Sequence, residues 1–270
     1  MKIKMIVSDF DGTITNLKGE VTKKTITSIN QYQEQGGLFV VATGRTRKLT
    51  LNPLEKLNIK YRYIISYCGA LITDEINNKV IYQNYINIEE VNKILSIVYD
   101  NNMACLMFDD DYYYSIGNHS YTKRYIYKSL SHLVREINNK NELLQYIDLN
   151  KILKMTVINY SIMPLNIIKE AMDIKNIRCY SMQNHALEIV DIKTDKYEAI
   201  KILLKETNLK ESETVCIGDS ENDFCMIDNH QNGYTVNNAS DKIKKVAKKI
   251  FSHCDKEPIV ELIENLKKEI

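Results

Sequence analysis

The chain has 270 residues, of which 44% are hydrophobic and 26% are charged, and its formal net charge is +1. This composition is typical of a folded globular protein, and the near-neutral balance gives no electrostatic case for binding nucleic acid or an anionic membrane. No apolar stretch approaches the ~20 residues needed to cross a bilayer, and the first residues lack the apolar core of a signal peptide. The six cysteines form no C-x-x-C pair, which favours reduced thiols in a cytoplasmic protein over a zinc site.

Strand and helix patterns alternate at the start of the chain. Strands are predicted at 4–7, 38–42 and 63–66, where the residues are mostly apolar and several are β-branched or aromatic. A helix capped by Thr22 precedes the second strand, and another is predicted at 45–57, where Pro53 should kink or divide it. This order predicts a parallel α/β sheet.

The composition changes near residue 83, and residues 83–183 are rich in Asn, Tyr and Lys. The apolar spacing predicts a helix at 88–101. Further strands are predicted at 103–108, 112–115, 151–159 and 178–182, and further helices at 141–147 and 164–173. This segment is therefore interpreted as a second α/β unit.

The first pattern resumes after residues 187–190. A helix is predicted at 195–206, a strand at 214–218, a helix from about 221 and a short strand at 234–236. The spacing of Ile243, Val246 and Ile250 predicts a last helix at 241–249, whose lysines form a solvated face. We therefore predict an α/β core formed by residues 1–82 and 184–270 and interrupted by an inserted domain, residues 83–183.

The stretch SDFDGTIT, residues 8–15, directly follows the first predicted strand. Asp and Gly are ordinary loop residues, so a turn alone would explain them. Alternatively, Asp9 and Asp11 aim two carboxylates at one point, where one attacks as a nucleophile and the other transfers a proton. Ligands of open parallel sheets bind beyond the carboxyl ends of the strands, so the other strand ends decide between the two interpretations.

Three further segments place polar residues at or after predicted strands: VVATGR, KTDKYEAI and CIGDSEND. The candidates in these segments are Thr43, Gly44, Arg45, Lys196, Asp219, Asn222 and Asp223. Each segment alone is also explained by helix capping or by an ordinary surface charge. Their shared position at strand ends favours one common site.

The segments DFDGTIT, VVATGR, KTDKYEAI and GDSENDFCM resemble the four motifs of the haloacid dehalogenase-like phosphohydrolases. The branch of Cof-like phosphatases with a large α/β cap is the most similar. The resemblance runs through most of the core and implies a Rossmann-like parallel sheet. Residues 83–183, matched by length and pattern only, would be an α+β cap that closes over the core loops and contacts the leaving group.

The resemblance also implies a reaction that needs Mg²⁺ and passes through an aspartyl-phosphate. Asp9 would be the nucleophile, and Asp11 the general acid and base. The residues implied to contact the phosphoryl group are Thr43, Gly44 and Lys196. Asn222 would orient Asp9 or the phosphoryl group, and Arg45 would contact the phosphate or pair with a surface acid. The implied holders of Mg²⁺ are Asp9, the main-chain carbonyl of Asp11, Asp219 and, in a supporting position, Asp223. The expected partner is a small phosphate ester, such as a sugar phosphate, a nucleotide or a phosphorylated cofactor, and a monomer is the default expectation.

Three positions depart from the family pattern. Cys68 stands where the family commonly has Asn, which puts a polar substrate contact there in doubt. Tyr197 stands where Gly usually follows the motif lysine, a change that affects the local turn but leaves the ammonium available. Ser220 replaces a frequent Gly, which is a small change.

Two other functions remain open at this point. A phosphosugar mutase of related architecture would need arginines that grip a second phosphate, and the insert contains only Arg124, Arg135 and Arg178. A non-catalytic sensor of phosphorylated ligands would be expected to lack Asp9 or Asp11. The presence of both aspartates favours an enzyme.

Overall fold

The computed structural model describes residues 2–110, 112–126, 132–160, 175–182 and 185–268. The chain divides into two compact units. The first comprises Met1–Tyr82 and Asp195–Ile270, and the second comprises Gln83–Thr194. The helix predicted at 164–173 lies outside the described residues. Among the residues described, no helix combines the length and the apolar character that a membrane crossing requires.

Strands and helices are interspersed along the described part of the chain. The first elements are β1 (Met5–Ser8), α1 (Lys23–Glu34), β2 (Leu38–Ala42), α2 (Arg47–Lys56), β3 (Tyr63–Ser66), β4 (Leu71–Asp74), β5 (Lys79–Gln83), α3 (Ile88–Asp100), β6 (Ala104–Phe108), β7 (Tyr113–Gly117) and α4 (His119–Tyr125). They are followed by β8 (Val134–Ile137), α5 (Lys140–Tyr146), β9 (Lys154–Ile158), β10 (Ile177–Met182), β11 (Ala186–Asp191), α6 (Lys196–Thr207), β12 (Thr214–Gly218), α7 (Phe224–Asn229), β13 (Gly233–Val236), α8 (Asp241–Val246), β14 (Lys249–Phe251) and α9 (Pro258–Lys268).

The first unit is built on one sheet with the strand order β14-β13-β12-β1-β2-β3-β4-β5. The central strand β1 pairs in parallel with β2 and β12, so that Met5 lies opposite both Leu38 and Thr214. Strands β13, β14 and β3 extend the parallel arrangement, and β4 returns antiparallel to β3. The carboxyl ends of β1, β2 and β12 therefore meet at one edge, which is where such sheets bind their ligands.

Helices cover both faces of this sheet. Successive residues of a strand point to opposite faces, so the apolar residues of β1 pack against helices on both sides. In β1, Ile6 packs in the cluster that contains α1 and α9, whereas Met5 and Val7 pack in the cluster that contains α6 and α7. All three side chains are fully buried, and burial of such a side chain contributes roughly 1.5–3 kcal/mol. The loop after β1 thus starts from a strand that is held on both sides.

The second unit contains a sheet with the order β10-β11-β9-β6-β7-β8, antiparallel except for the pair β7 and β8. Helix α3 contributes Val91, Ile94, Leu95 and Val98 to its core. Residues 186–191 form β11, which pairs with β9 and β10. The sequence analysis placed the return to the core after residue 183, but this pairing keeps the chain in the second unit as far as Thr194.

The predicted helix at 241–249 is shorter in the structure. It ends at Val246, because Ala247 is extended and the amide of Lys248 donates to the carbonyl of Gly233. Ile250 therefore belongs to strand β14 instead of an amphipathic helix face. Sheet pairing has overridden the helical spacing of the apolar residues here.

Helix α2 begins two residues later than its predicted start at residue 45. Thr46 is the N-cap, and its side chain accepts from the amide of Leu49. The helix continues through Pro53 without dividing. Arg45 consequently lies in the loop after β2 and not on the helix.

Candidate active site

Asp9 follows β1 without a break in the sheet. Its amide donates to the carbonyl of Ile217 at 2.9 Å, which continues the pairing of β1 with β12. Asp9 is only 4% exposed, whereas the side chain of Asp11, two residues later, is 54% exposed. One carboxylate is therefore buried and fixed, and the other reaches solvent.

Gly12 allows the loop after β1 to turn against Asp219. Its φ is +73°, and a Cβ there would lie 2.6 Å from Asp219 Oδ2, so only glycine fits without strain. Thr13 Oγ1 donates to Asp219 Oδ1 at 2.9 Å. Asn238 Nδ2 donates to the carbonyl of Gly12 at 2.8 Å and to Asp219 Oδ2 at 3.3 Å. Hydrogen bonds thus join the loop after β1 to the ends of β12 and β13.

Lys196 is the first residue of α6 and is fully buried. Its Nζ donates to Asp9 Oδ1 and to Asp223 Oδ1, both at 2.6 Å. The side chain of Asp195 caps the helix by accepting from a main-chain amide in its first turn. Gly69, with φ +108°, lets the main chain of Asp195 approach closely, because a Cβ at position 69 would lie 2.4 Å from the carbonyl oxygen of Asp195. The start of α6 therefore fixes the ammonium beside Asp9.

Asp223 uses both carboxylate oxygens within the protein and is fully buried. Oδ1 accepts from Lys196, and Oδ2 accepts from the amides of Asp219 and Ser220 at 3.0 and 2.9 Å. The hydroxyl of Ser220 also donates to Oδ2, at 3.0 Å. Asp223 thus holds the turn after β12 and anchors Lys196.

The three carboxylates strongly influence one another. One oxygen from each of Asp9, Asp219 and Asp223 lies within 4.8 Å of the others. Burial raises the pKa of Asp9 well above its usual value; Lys196 opposes this rise, and the other two carboxylates add to it. Burial and the charge of Asp223 raise the pKa of Asp219 to about 7. Burial disfavours the charge of Lys196, but Asp223 and Asp9 outweigh this effect and raise its pKa.

This donor set fits a divalent cation. When all three carboxylates are ionised, they exceed the ammonium of Lys196 by two negative charges. A nearby cation favours this charged form. The cluster offers oxygen ligands, which Mg²⁺ prefers. Asp9 and Asp219 fit direct contact with such an ion. Asp223 fits a supporting position better, because hydrogen bonds already occupy both of its oxygens.

Thr43 and Gly44 form the turn that follows β2. Thr43 is 1% exposed, and its Oγ1 accepts from the amide of Arg45 at 3.1 Å. Its carbonyl accepts from the amide of Cys68 at 3.0 Å, and its amide donates to Ile65. The end of β2 is therefore tied to the end of β3.

Arg45 pairs with Asp11. Its Nε donates to Oδ2 at 2.7 Å and its Nη2 to Oδ1 at 2.6 Å. The sequence analysis left two partners open for Arg45, a phosphate group or a surface acid. The structure gives it an acidic partner, which is the predicted acid–base residue itself.

The chain is similar to known proteins over nearly its whole length. A family model of haloacid dehalogenase-like hydrolases matches residues 6–263. The chain belongs to this family. Phosphatase YwpJ of Bacillus subtilis is 25% identical, and the match covers 98% of this chain and 100% of the relative. A haloacid dehalogenase-like hydrolase from Bacteroides thetaiotaomicron is 26% identical, with a TM-score of 0.85 and coverage of 98% and 100%. The solved structure of a haloacid dehalogenase-like hydrolase from B. subtilis is 24% identical, with a TM-score of 0.83 and coverage of 98% and 100%. The predicted family and α/β fold are confirmed.

Two positions that depart from the family pattern contact different residues in this hydrolase. Cys68 is buried with φ 58°, and Asn222 Nδ2 donates to its Sγ at 3.9 Å. The Oδ1 of Asn222 accepts from the hydroxyl of Ser220 at 2.9 Å, so its hydrogen bonds in the described part of the chain do not go to Asp9. The ring of Tyr197 instead packs edge-on against His230, with a centroid distance of 6.5 Å.

The sequence analysis missed two residues that hold the site of this hydrolase. Thr13 lies within the SDFDGTIT stretch, yet only the carboxylates were singled out. Asn238 follows β13, and its Oδ1 also accepts from the amide of Cys254 at 2.9 Å. Because β13 neighbours β12, the rule that polar residues gather at strand ends could have identified Asn238.

Proposed function

We propose that the protein is a Mg²⁺-dependent phosphatase that hydrolyses small phosphate monoesters through an aspartyl-phosphate on Asp9. The observation that carries the proposal is the meeting of Asp9, Lys196 and Asp219 at the carboxyl edge of the parallel sheet, with Asp11 beside them. The name of the relative Phosphatase YwpJ supports the same reaction class. Sugar phosphates, nucleotides and phosphorylated cofactors all fit this class of substrate.

In the first step an oxygen of Asp9 attacks phosphorus, and the bond from phosphorus to the leaving oxygen breaks. Asp11 gives its proton to that oxygen, so a neutral alcohol departs. In the second step Asp11 takes a proton from water, and the resulting hydroxide attacks the aspartyl-phosphate. Inorganic phosphate leaves and the carboxylate of Asp9 is restored.

Charge compensation is the main requirement of this chemistry, because a phosphate dianion approaches a carboxylate. Lys196 supplies one fixed positive charge, and its two carboxylate partners keep it in place. The hydroxyl of Thr43 and the amide of Gly44 would donate to the phosphoryl oxygens. When bound, Mg²⁺ offsets negative charge on the phosphoryl group. Asp9, Asp219 and the main-chain carbonyl of Asp11 would hold it, with Asp223 in support.

The test compares wild type with Asp9→Asn in 4-nitrophenyl phosphate hydrolysis, with Mg²⁺ and after chelation. We expect the variant and the chelated enzyme to lose activity while circular dichroism shows an unchanged fold. Asp241→Asn, at an exposed position in the first turn of α8, is the matched control and should keep full activity. Wild-type rates in Asp9→Asn would reject the nucleophile. Full activity after chelation would reject the metal.

A readout independent of turnover tests the ion itself. Mg²⁺ should raise the melting temperature of wild type, because a ligand that binds only the folded state stabilises it. Asp219→Asn should weaken this shift, and Asp241→Asn should leave it unchanged. Equal shifts in all three proteins would contradict a site at Asp219. Release of inorganic phosphate, as opposed to isomerisation of a phosphosugar, separates this function from a mutase.

A further inference from the structure

Three side chains that commonly bind metals meet at a second place in the first unit, in the turn between β14 and α9. His253, Cys254 and Asp255 each offer one ligand atom, and these atoms all lie within 4.8 Å of one another. Among the described residues, the only other such group is the carboxylate cluster of the candidate active site. The turn differs from that cluster because it combines an imidazole, a thiol and a carboxylate.

The spacing of the ligand atoms fits tetrahedral coordination. Zn²⁺ binds thiolate sulfur at about 2.3 Å and imidazole nitrogen or carboxylate oxygen at about 2.0–2.2 Å. At tetrahedral angles, sulfur and nitrogen would then be about 3.6 Å apart, and nitrogen and oxygen about 3.4 Å apart. His253 Nδ1 lies 3.7 Å from Cys254 Sγ and 3.5 Å from Asp255 Oδ2. One ion can therefore bind these three side chains after small rotations.

Neighbouring loops hold the turn in this arrangement. The amide of Cys254 donates to Asn238 Oδ1 at 2.9 Å. The amide of Leu17 donates to Asp255 Oδ1 at 3.0 Å, while Oδ2 lies toward the imidazole. His253 Nδ1 accepts from the amide of Asp255 at 3.2 Å, so its lone pair already points into the turn. A bound ion would replace this one long hydrogen bond.

The turn is open to solvent on one side. Cys254 is only 4% exposed, whereas the side chains of His253 and Asp255 are 31% and 49% exposed. A cation can enter past the imidazole and the carboxylate and reach a thiol that is otherwise buried. Three protein ligands leave the fourth position of a tetrahedral ion for water.

We propose that His253, Cys254 and Asp255 form a second metal site, which takes a thiophilic divalent cation such as Zn²⁺. Thiolate and imidazole ligands favour such ions, whereas Mg²⁺ takes oxygen ligands. The carboxylate cluster and this turn thus differ in the ions that they prefer. The sequence analysis set a zinc site aside because no two cysteines are suitably spaced. This site needs only one cysteine, and its other two ligands are the neighbours of that cysteine in the chain.

The test uses Co²⁺ as the probe, added to the metal-free full chain in the presence of a phosphine reductant. A thiolate bound to Co²⁺ gives a charge-transfer absorption in the near ultraviolet, which carboxylate ligands do not give. We expect wild type to develop this absorption up to one equivalent of Co²⁺. Added Zn²⁺ should remove the signal by displacing the cobalt, whereas added Mg²⁺ should not.

Two variants remove one ligand each. Cys254→Ser should abolish the charge-transfer absorption. His253→Asn should weaken Co²⁺ binding by at least about tenfold, since even the loss of a residue that supports a metal ligand costs about 10- to 100-fold in affinity. Asn is also a favoured helix-capping residue, so it keeps an acceptor for the amide of Asp255. This variant therefore tests the proposal if the serine variant fails to fold by circular dichroism.

The matched control is Cys225→Ser, because Cys225 is a more exposed cysteine of the same unit and lies outside the turn. It should bind Co²⁺ as wild type does, and so should Asp219→Asn. A folded wild type without the charge-transfer absorption would overturn the proposal, as would equal affinities for Co²⁺ in wild type and His253→Asn. Absorption that is kept in Cys254→Ser but lost in Asp219→Asn would also overturn it and place the ion at the candidate active site.

Discussion

Replacing Lys196 by Met removes the ammonium that two buried carboxylates share and keeps a long apolar side chain in its place. Asp9 and Asp223 each accept from Nζ at 2.6 Å, and in the variant one of them has to take up a proton or stay charged without a partner. Loss of one partner from a buried ion pair costs about 3–5 kcal/mol. We therefore expect the free energy of unfolding without metal to fall by about 3–5 kcal/mol.

The measurement is guanidinium unfolding in the presence of chelator, followed by circular dichroism because the chain contains no tryptophan. Lys201→Met is the matched control. Lys201 lies on the same helix and donates to Glu198 at the same distance, 2.6 Å, but the two side chains are 44% and 49% exposed. An exposed pair contributes about 0–1 kcal/mol. Equal losses in the two variants would refute the argument that burial, not the length of the hydrogen bond, determines what the pair contributes.

Two further predictions concern the loop after β1 and a buried histidine. Gly12→Ala should cost about 1–2 kcal/mol from the left-handed backbone and should also reduce kcat/KM, because its Cβ would lie 2.6 Å from Asp219 Oδ2. Gly19→Ala has a similar φ, +77°, with no atom within 4 Å of the added Cβ, so it should lose stability alone; equal kinetic losses in both would contradict the contact. Burial lowers the pKa of His230, and the charge of Glu211 opposes this. The unfolded state therefore binds the proton more readily, and stability should fall as the pH drops below about 6.5, by up to about 1.4 kcal/mol per pH unit. His230→Asn keeps an acceptor for the amide of Asn232 and should flatten the curve of unfolding free energy against pH in this window; unchanged curves would exclude His230.

The parts of the fold that the sequence predicts well are those decided by neighbouring residues. The strands at 38–42, 63–66 and 214–218 are each a short apolar run, and the observed bounds coincide with the predicted ones. Residues 187–190 have the same local character, yet they form part of β11 in the second unit. An apolar run identifies a strand, but only its hydrogen-bonded partners decide to which sheet it belongs.

At the candidate site, too, short sequence patterns predict which loops meet but not which side chains pair. The rule for strand ends predicted that Asp9 and Asp219 meet, and their oxygens lie within 4.8 Å of each other. The same rule does not explain Lys196, because the strand before it, β11, belongs to the other sheet, and Lys196 reaches Asp9 from the start of α6. The ion pair between Arg45 and Asp11 joins residues that are 34 positions apart in the sequence. The hydrogen bond from Asn238 to Gly12 spans 226 positions. No spacing in the sequence encodes such contacts, because they depend on how each loop turns after its strand.

Asp219 and Asp223 show why residue type alone does not assign a role. Both are aspartates in one turn of six residues, and the sequence analysis placed both at the metal. Asp219 takes side-chain hydrogen bonds from Thr13 and Asn238, and its region remains rich in negative charge. Asp223 points back into the protein, where two main-chain amides and an ammonium surround it. A carboxylate that is already neutralised by such donors has little left to offer a cation, so the direction of the side chain separates an ion ligand from the residue that anchors Lys196.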